Sequence, residues 1–405
     1  MKANNISIYL IRLILIGGKF LLSLYLAKVL GLEFLGIFTL LLGAVAVVPM
    51  ILRGGMATQL SRTVISMRGK DAWDSILSYW VYLSLIYVLL SFSLVFIIGI
   101  FFDVSLPVSL FIVIYLEHLV YDIFIFLNGF KKHYFANIIL VLQASLWIFP
   151  FIGVSWFYPE YRSMEVLLSF WLSAGLLAVF IFLQYLGWEK LFKLKLLGLD
   201  WYIKQFFISK YIYVSELIGV LVLYADRYVM YIFLPAEVVG LYGLFWQVAN
   251  AIANLIGAAI HQTYRPILIA FYSSDMNNYI QSAYSLMKKT ISVSLAFTLV
   301  SFAGCVGLFY LLAMDAPLRN LELLVLVLVV GNCRVVLDTI KLLLFTQSRD
   351  KNKLFIDVLF FILSLLAGAG MYWYGIHSYL IIIVMLYGAV FSLLSFNRKL
   401  YIFKH

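Results

Sequence analysis

Uninterrupted apolar runs of about twenty residues or more, recurring from one end of the chain to the other, constrain this sequence more than any other feature. The stretch LELLVLVLVV at 321–330 is typical. Hydrocarbon offers no partner to a backbone N–H or C=O, so a segment that crosses it must be a helix or part of a closed barrel. Barrel strands alternate polar and apolar residues over about ten positions. These runs do not alternate, so they read as helices. Composition agrees: 65% of the 405 residues are hydrophobic and 12% are charged, against about 25% charged in soluble domains. The expected fold class is an all-α polytopic membrane protein of about twelve transmembrane helices, in two six-helix lobes around a central cavity. The spans are expected at 6–30, 34–57, 75–100, 106–128, 135–157, 166–187, 206–234, 241–263, 285–312, 320–346, 354–374 and 379–396.

The loops set an orientation. One side carries Lys2, Arg62, Arg68, Lys70, Lys131, Lys132, a lysine cluster at 190–204, Arg265, Lys288, Lys289, Arg349 and the basic residues beyond it. The other side carries only Arg162 and Arg319. Lys and Arg mark the cytoplasmic side, so both termini are expected in the cytoplasm. The net charge of +10 then faces anionic headgroups and needs no nucleic acid. The first run holds Arg12 and Lys19 and is followed by no small-residue cleavage site, so it reads as a retained span rather than a signal peptide. Cys305 and Cys333 fall inside apolar runs and read as small core residues.

Every outer loop is short, which leaves no outer domain to house a catalytic site. The longest inner connection, WEKLFKLKLLGLDWYIK (188–204), mixes Lys with Leu, Phe and Trp and reads as an interfacial amphipathic segment. It sits at the midpoint. The expected organisation is a lobe at 1–187, an amphipathic cytoplasmic linker at 188–205, and a lobe with a short tail at 206–405. The halves echo each other: LGLEFLGIF (30–38) and LPAEVVGLY (234–242) share Leu, Glu, Gly and an aromatic at the same offsets. Each joins the first and second spans of its half. Such an internal duplication is a common transporter plan, with the substrate between the halves.

Charges inside spans are costly and mark pathways. Arg12 and Lys19, seven residues apart, share a face and lie about 10 Å apart along the axis. Arg53 follows Pro49 and precedes Gly54–Gly55; it either lines the inner half of a cavity or sits at the cytoplasmic interface. Arg334, Asp338 and Lys341 form an i, i+4, i+7 stripe, either a self-neutralising set or a binding face, with one cation in surplus. Gln247, Asn250, Asn254 and His261 fall within about 60° of one another on a regular helix. They read as a sugar-facing stripe or as polar glue between helices. Glu117, His118 and Asp122 share a span, as ion-coupling groups or as partners for cations elsewhere. Glu216 and Arg227 share a face, whereas Asp226, about 100° from Arg227, must look to another span. This set is the candidate gate, or else a permanent structural pair.

AKVLGLEFLGIFTLLLG (27–43) and ADRYVMYIFLPAEVVGLYGLFWQVANAI (225–252) resemble the first outer turn, and the seventh span with its following turn, of the polysaccharide-biosynthesis flippases. These form the O-antigen translocase branch of the multidrug/oligosaccharidyl-lipid/polysaccharide exporter superfamily. The residues that carry the resemblance are Asp226–Arg227, Leu234, Glu237, Gly240, Leu241 and Tyr242. The first turn departs at Leu32 and Leu35, where Pro and an aromatic are frequent. The resemblance implies a polyprenyl-diphosphate-linked oligosaccharide repeat unit as cargo, flipped across the bacterial inner membrane by alternating access for O-antigen, capsule or exopolysaccharide synthesis. Membrane lipids surround it, and polysaccharide polymerase and chain-length proteins are its implied partners. Arg12, Lys19, Arg53, Arg334 and Lys341 are then the expected headgroup contacts, and the amide stripe the expected sugar contact.

No GxxxxGK[ST] phosphate loop occurs, so ATP is not the expected internal energy source. The five histidines show no metal-ligand spacing with the cysteines. No cofactor, metal or enzymatic role is expected. Two other readings remain: an integral-membrane polysaccharide polymerase or ligase, which calls for a large outer loop, and a cation-coupled small-molecule exporter, which calls for an acidic cavity.

Overall fold

Backbone groups in hydrocarbon are satisfied within a helix by i→i−4 bonding, and the computed structural model of the chain contains no strand among its described residues. Those residues are 2–66, 70–102, 108–130, 132–187, 194–347 and 349–396. The helices are α1 (Lys2–Tyr25), α2 (Leu32–Arg53), α3 (Met56–Ser66), α4 (Lys70–Phe102), α5 (Val108–Gly129), α6 (His133–Val141), α7 (Ile148–Phe157), α8 (Met164–Leu186), α9 (Leu199–Phe233), α10 (Ala236–Ile256), α11 (Gln262–Ser274), α12 (Met276–Leu311), α13 (Asp315–Arg319), α14 (Leu321–Thr346) and α15 (Asp350–Phe396). Among the described residues, nine helical stretches are long and apolar enough to cross a membrane. The chain is a polytopic all-α membrane protein.

Helix breaks follow local chemistry. α2 stops at Arg53, short of the expected residue 57, because Gly54 and Gly55 take φ of 59° and 66°. That left-handed region favours glycine. Gly375, at φ 75°, separates the two halves of α15. Ser163 caps α8 by accepting from Val166 N–H at 3.3 Å, and Asp275 caps α12 by accepting from Asn277 and Asn278 N–H. Three π turns interrupt the helical phase, at Leu26–Leu30, Leu142–Leu146 and Gly257–His261. Such turns gather at functional sites.

The contacts divide the chain into two compact units: Met1–Leu22 with Leu41–Val220, and Ser23–Leu40 with Leu221–His405. The changeovers fall inside α1, α2 and α9. In the first unit α5 is central: Val120, Ile123 and Leu127 pack with Ile139 of α6 and Ala178 and Phe182 of α8. The described part of the linker, 194–198, is extended and strapped along α4. Asp74 accepts from Lys195 N–H and Ser78 from Leu197 N–H, both at 2.8 Å, while Tyr82 donates to the Leu197 carbonyl at 2.9 Å. The three side chains are one turn apart, so one face of α4 satisfies backbone that no helix would. Residues 188–193 lie outside the described residues.

In the second unit every residue from Val239 to Trp246 of α10 is buried. The two glycines that echo one another in the sequence, Gly36 of α2 and Gly240 of α10, meet here. A Cβ on Gly36 would strike the Ala236 carbonyl, and one on Gly240 would strike the Leu32 carbonyl. Small residues are what allow helix backbones in a membrane to approach this closely.

Candidate functional site

In the first unit His118 and Asp122 of α5 are held by side chains of α2 and α4. Arg53 reaches Asp122 with Nε 3.4 Å from Oδ1; its side chain is 2% exposed and that of Asp122 is fully buried. The other Asp122 oxygen, Oδ2, accepts from the Tyr79 hydroxyl of α4 at 2.8 Å and lies 3.3 Å from His118 Nε2. The second His118 nitrogen, Nδ1, is 2.7 Å from the Tyr87 hydroxyl. Arg53 also donates to Thr58 Oγ1 at 3.3 Å, and Thr58 donates to Glu216 Oε1 at 2.6 Å. The guanidinium lies 5.4 Å from the Tyr121 ring. The network therefore runs Tyr87–His118–Asp122–Arg53–Thr58–Glu216. The glycine break makes it possible: a Cβ at Gly55 would meet the Tyr213 backbone of α9, so the turn lets α9 bring Glu216 close.

Lys19 and Glu117 form a second group in the same unit. The Glu117 carboxylate accepts from Trp171 Nε1 of α8 at 2.7 Å, and Lys19 of α1 lies within its electrostatic reach. α1 is placed by Ser145 in the π turn Leu142–Leu146: Ser145 donates to the Ile14 carbonyl at 3.1 Å, and a Cβ on Gly18 would strike its hydroxyl. The side chain of Arg12 lies outside the described residues.

In the second unit Arg334 is presented rather than sealed. Its side chain is 19% exposed and pairs with Asp338, 40% exposed, at 3.7 Å. It donates to Asn250 Oδ1 at 2.7 Å and lies over the Trp246 ring at 5.9 Å. Lys341 does not share Asp338. It pairs with Asp357 of α15 at 2.5 Å, so the surplus cation expected on the α14 stripe is neutralised by a neighbouring helix. Lys341→Met is expected to leave Asp357, 2% exposed, without its cation and to lower the thermal midpoint of the solubilised protein by several degrees. Lys341→Met with Asp357→Leu should recover most of that loss, because two apolar side chains replace a buried pair at little cost.

Two members of the amide stripe meet α14. Asn250 is turned onto Arg334, while His261 Nε2 lies 3.0 Å from Thr339 Oγ1. Gln247 is half-buried and Asn254 exposed. The π turn Gly257–His261 changes the angular advance between Asn254 and His261 from that of a regular helix. Asp226 finds its partners close by: Oδ1 accepts from the Arg227 backbone N–H at 2.8 Å and Oδ2 from the Tyr242 hydroxyl. The Arg227 guanidinium lies 4.5 Å from the Tyr224 ring. A cavity of about 30 Å³ adjoins this group, lined by Asp226, Tyr242, Trp246, Arg334, Ser364 and Tyr387 among others. That is room for little more than a water molecule.

Sequence reasoning passed over Tyr79, Tyr87, Thr58, Trp171 and Tyr242 as members of these groups. Tyr79 and Tyr87 are eight residues apart and hence on one face of α4, a usable signal hidden among many tyrosines. Thr58 stands beyond the glycine break, where the helical phase is lost. No group of three or more His, Cys, Asp or Glu side chains able to hold a metal occurs among the described residues.

No family model and no curated protein matches the sequence. Solved structures do match the fold. The lipid II flippase MurJ in an inward closed conformation superposes with a TM-score of 0.70 at 14% identity, over 98% of this chain and 87% of its own. An inward-facing multidrug-resistance MATE family transporter of the MOP superfamily gives 0.65 at 12% identity, over 94% and 95%. The MATE multidrug transporter DinF-BH gives 0.64 at 16% identity, over 100% and 96%. The chain shares the fold of these solved structures.

Proposed function

We propose that this chain is a flippase that carries a polyprenyl-diphosphate-linked oligosaccharide across the bacterial inner membrane by alternating access, with both termini in the cytoplasm. The observation that carries the reading is the setting of Arg334. A half-buried guanidinium, braced by an amide and an aromatic ring and matched by a more exposed carboxylate, can give up part of its internal pairing to a phosphate. Arg recognises phosphate oxygens through a planar fork of donors. The likeness to a lipid II flippase supports the same reading, and so do the flippase-like motifs at 27–43 and 225–252.

The geometry also sorts the cations. Arg53, sealed against Asp122, serves best as a structural group. Lys19 and Arg334 remain the headgroup contacts. Asn250 and Trp246, beside Arg334, suit a sugar. The two expected lobes, 1–187 and 206–405, would rock against each other, and release demands weaker holding in the outward state, since equal affinity shifts no population.

The test is reconstitution in liposomes with purified lipid-linked oligosaccharide, reading protection of the headgroup from an external reagent. Lys19→Ala or Arg334→Ala is expected to slow translocation about ten- to hundredfold, the rate equivalent of one charge-assisted hydrogen bond, with abundance unchanged. Normal rates in both variants refute the headgroup assignment. The same vesicles loaded with a cationic dye examine the exporter reading, which the balance of Lys19 and Arg53 by Glu117, Asp122 and Glu216 favours. Dye efflux without glycolipid translocation would make the chain an exporter.

A further inference from the structure

Two buried polar side chains near Lys19 have no role in the network described above. Gln143, 1% exposed, stands in the π turn Leu142–Leu146 and interacts with the Glu117 carboxylate, but the contact falls short of full hydrogen-bond geometry at both Nε2 and Oε1. Trp147, one turn on, is also buried, and its Nε1 makes no hydrogen bond. Trp147 stacks on Trp171 at 5.3 Å between ring centroids, and Trp171 Nε1 is the donor that holds Glu117. Around one carboxylate the fold thus gathers an ammonium, an indole N–H and a carboxamide, with a second, unbonded indole on the ring stacked against the first. Lys and Trp side chains donate and never accept. A donor-rich setting of this kind suits an anion, and Glu117 alone leaves part of it unbonded.

The geometry points to an oxyanion-binding site in the first unit, built by Lys19, Gln143, Trp147 and Trp171 and held in this state by the chain's own Glu117. The ligand is a phosphate or diphosphate group; that the group belongs to a lipid-linked cargo rests on the flippase reading. A carboxylate and a phosphate are both charged acceptors that carry no donor of their own. Glu117 is therefore an internal stand-in. It neutralises Lys19 while the site is without cargo and is displaced when an oxyanion arrives. The incoming group has more acceptor oxygens than a carboxylate, enough to engage Gln143 and Trp147 as well. Glu117 then competes with the ligand and sets how readily it leaves. The approach lies along α5: Glu117 is half-buried, and Tyr121, one turn further on the same face, is 40% exposed.

The test is equilibrium binding to the purified full chain in detergent, by calorimetry, with farnesyl diphosphate, inorganic pyrophosphate and phosphatidylglycerol as separate probes. Glu117→Gln keeps the shape and removes the competing charge. It is expected to tighten farnesyl diphosphate binding about tenfold, while Lys19→Gln weakens it about tenfold. In the Lys19→Gln background, Glu117→Gln is expected to change affinity by less than about twofold, the signature of two residues acting through one contact. Gln143→Leu is expected to weaken binding with an unchanged thermal midpoint, which keeps the site testable should a charge variant fail to fold.

Pyrophosphate following the same rank order supports the site and makes any diphosphate its ligand. Phosphatidylglycerol alone following it supports the site and makes a resident lipid headgroup its ligand. The site is overturned if Glu117→Gln leaves affinity unchanged or weakens it, or if no probe binds the wild type. Translocation of lipid-linked oligosaccharide would survive the first result, leaving the flippase reading in place. Binding that responds to Glu117→Gln in a chain that flips no glycolipid would remove the flippase reading and leave the site.

Discussion

Asp122→Ala is expected to cost the solubilised protein a large share of its stability. Asp122 is fully buried and holds three groups at once: the Arg53 guanidinium, the Tyr79 hydroxyl and the His118 ring. Its removal leaves a guanidinium that is almost wholly buried with no carboxylate in contact. Breaking a buried pair on one side costs about 3–5 kcal/mol, against a total stability of about 5–15 kcal/mol for an ordinary domain. A fluorescence-detected size-exclusion assay after heating reads the loss directly. Asp122→Asn keeps the shape and an acceptor for Tyr79 while losing the charge, and its expected loss is smaller. Arg53→Met with Asp122→Leu is expected to restore much of the midpoint, because the desolvation of both ions disappears together. A single Asp122→Ala variant as heat-stable as the wild type would show that the pair contributes nothing to the fold.

Gly36→Ala and Gly240→Ala carry the second large effect, through backbone contact rather than charge. At Gly36 the added carbon would strike the Ala236 carbonyl oxygen and lie 3.2 Å from the Gly240 nitrogen. At Gly240 it would strike the Leu32 carbonyl and lie 2.9 Å from the Gly36 nitrogen. Backbone cannot rotate away as a side chain can, so α2 and α10 must separate. Overpacking costs about 1–3 kcal/mol, and a crossing made of two backbones belongs at the upper end. Gly243→Ala is the internal control. Its added carbon meets the Thr39 side chain, which can turn aside, so its loss is expected to be clearly smaller. Thermal midpoints of the three variants test the order, and equal losses at Gly36, Gly240 and Gly243 would contradict it.

The glycine crossing shows how far sequence reasoning reached. Comparing LGLEFLGIF with LPAEVVGLY picked out Gly36 and Gly240 as matching positions where the first and second spans of each half join. Both stand inside helices, α2 and α10, where closeness of backbones and not turn geometry asks for glycine. Position was legible because duplication leaves a repeat in the sequence. Partnership was not, because a repeat does not say that its copies touch. Lys341 carries the same lesson. The i, i+7 spacing to Arg334 made Asp338 look like a shared counter-ion, and only the packing of α15 on α14 supplied Asp357. His261 shows a local limit: a π turn alters the advance per residue, and nothing in GAAIH announces one.

The sequence by itself determined that this chain is a multi-pass helical membrane protein and that its last apolar stretch breaks near Gly375. Backbone satisfaction in hydrocarbon and the φ freedom of glycine are local rules, and local rules can be read from neighbours along the chain. Only the tertiary structure decided the pairings: Arg53 with Asp122, Trp171 with Glu117, Lys341 with Asp357 and Asp226 with Tyr242. Helical periodicity assigns a side chain to a face. Which helix that face meets, and at what height, is set by crossings such as that of Gly36 and Gly240, between residues far apart in the chain.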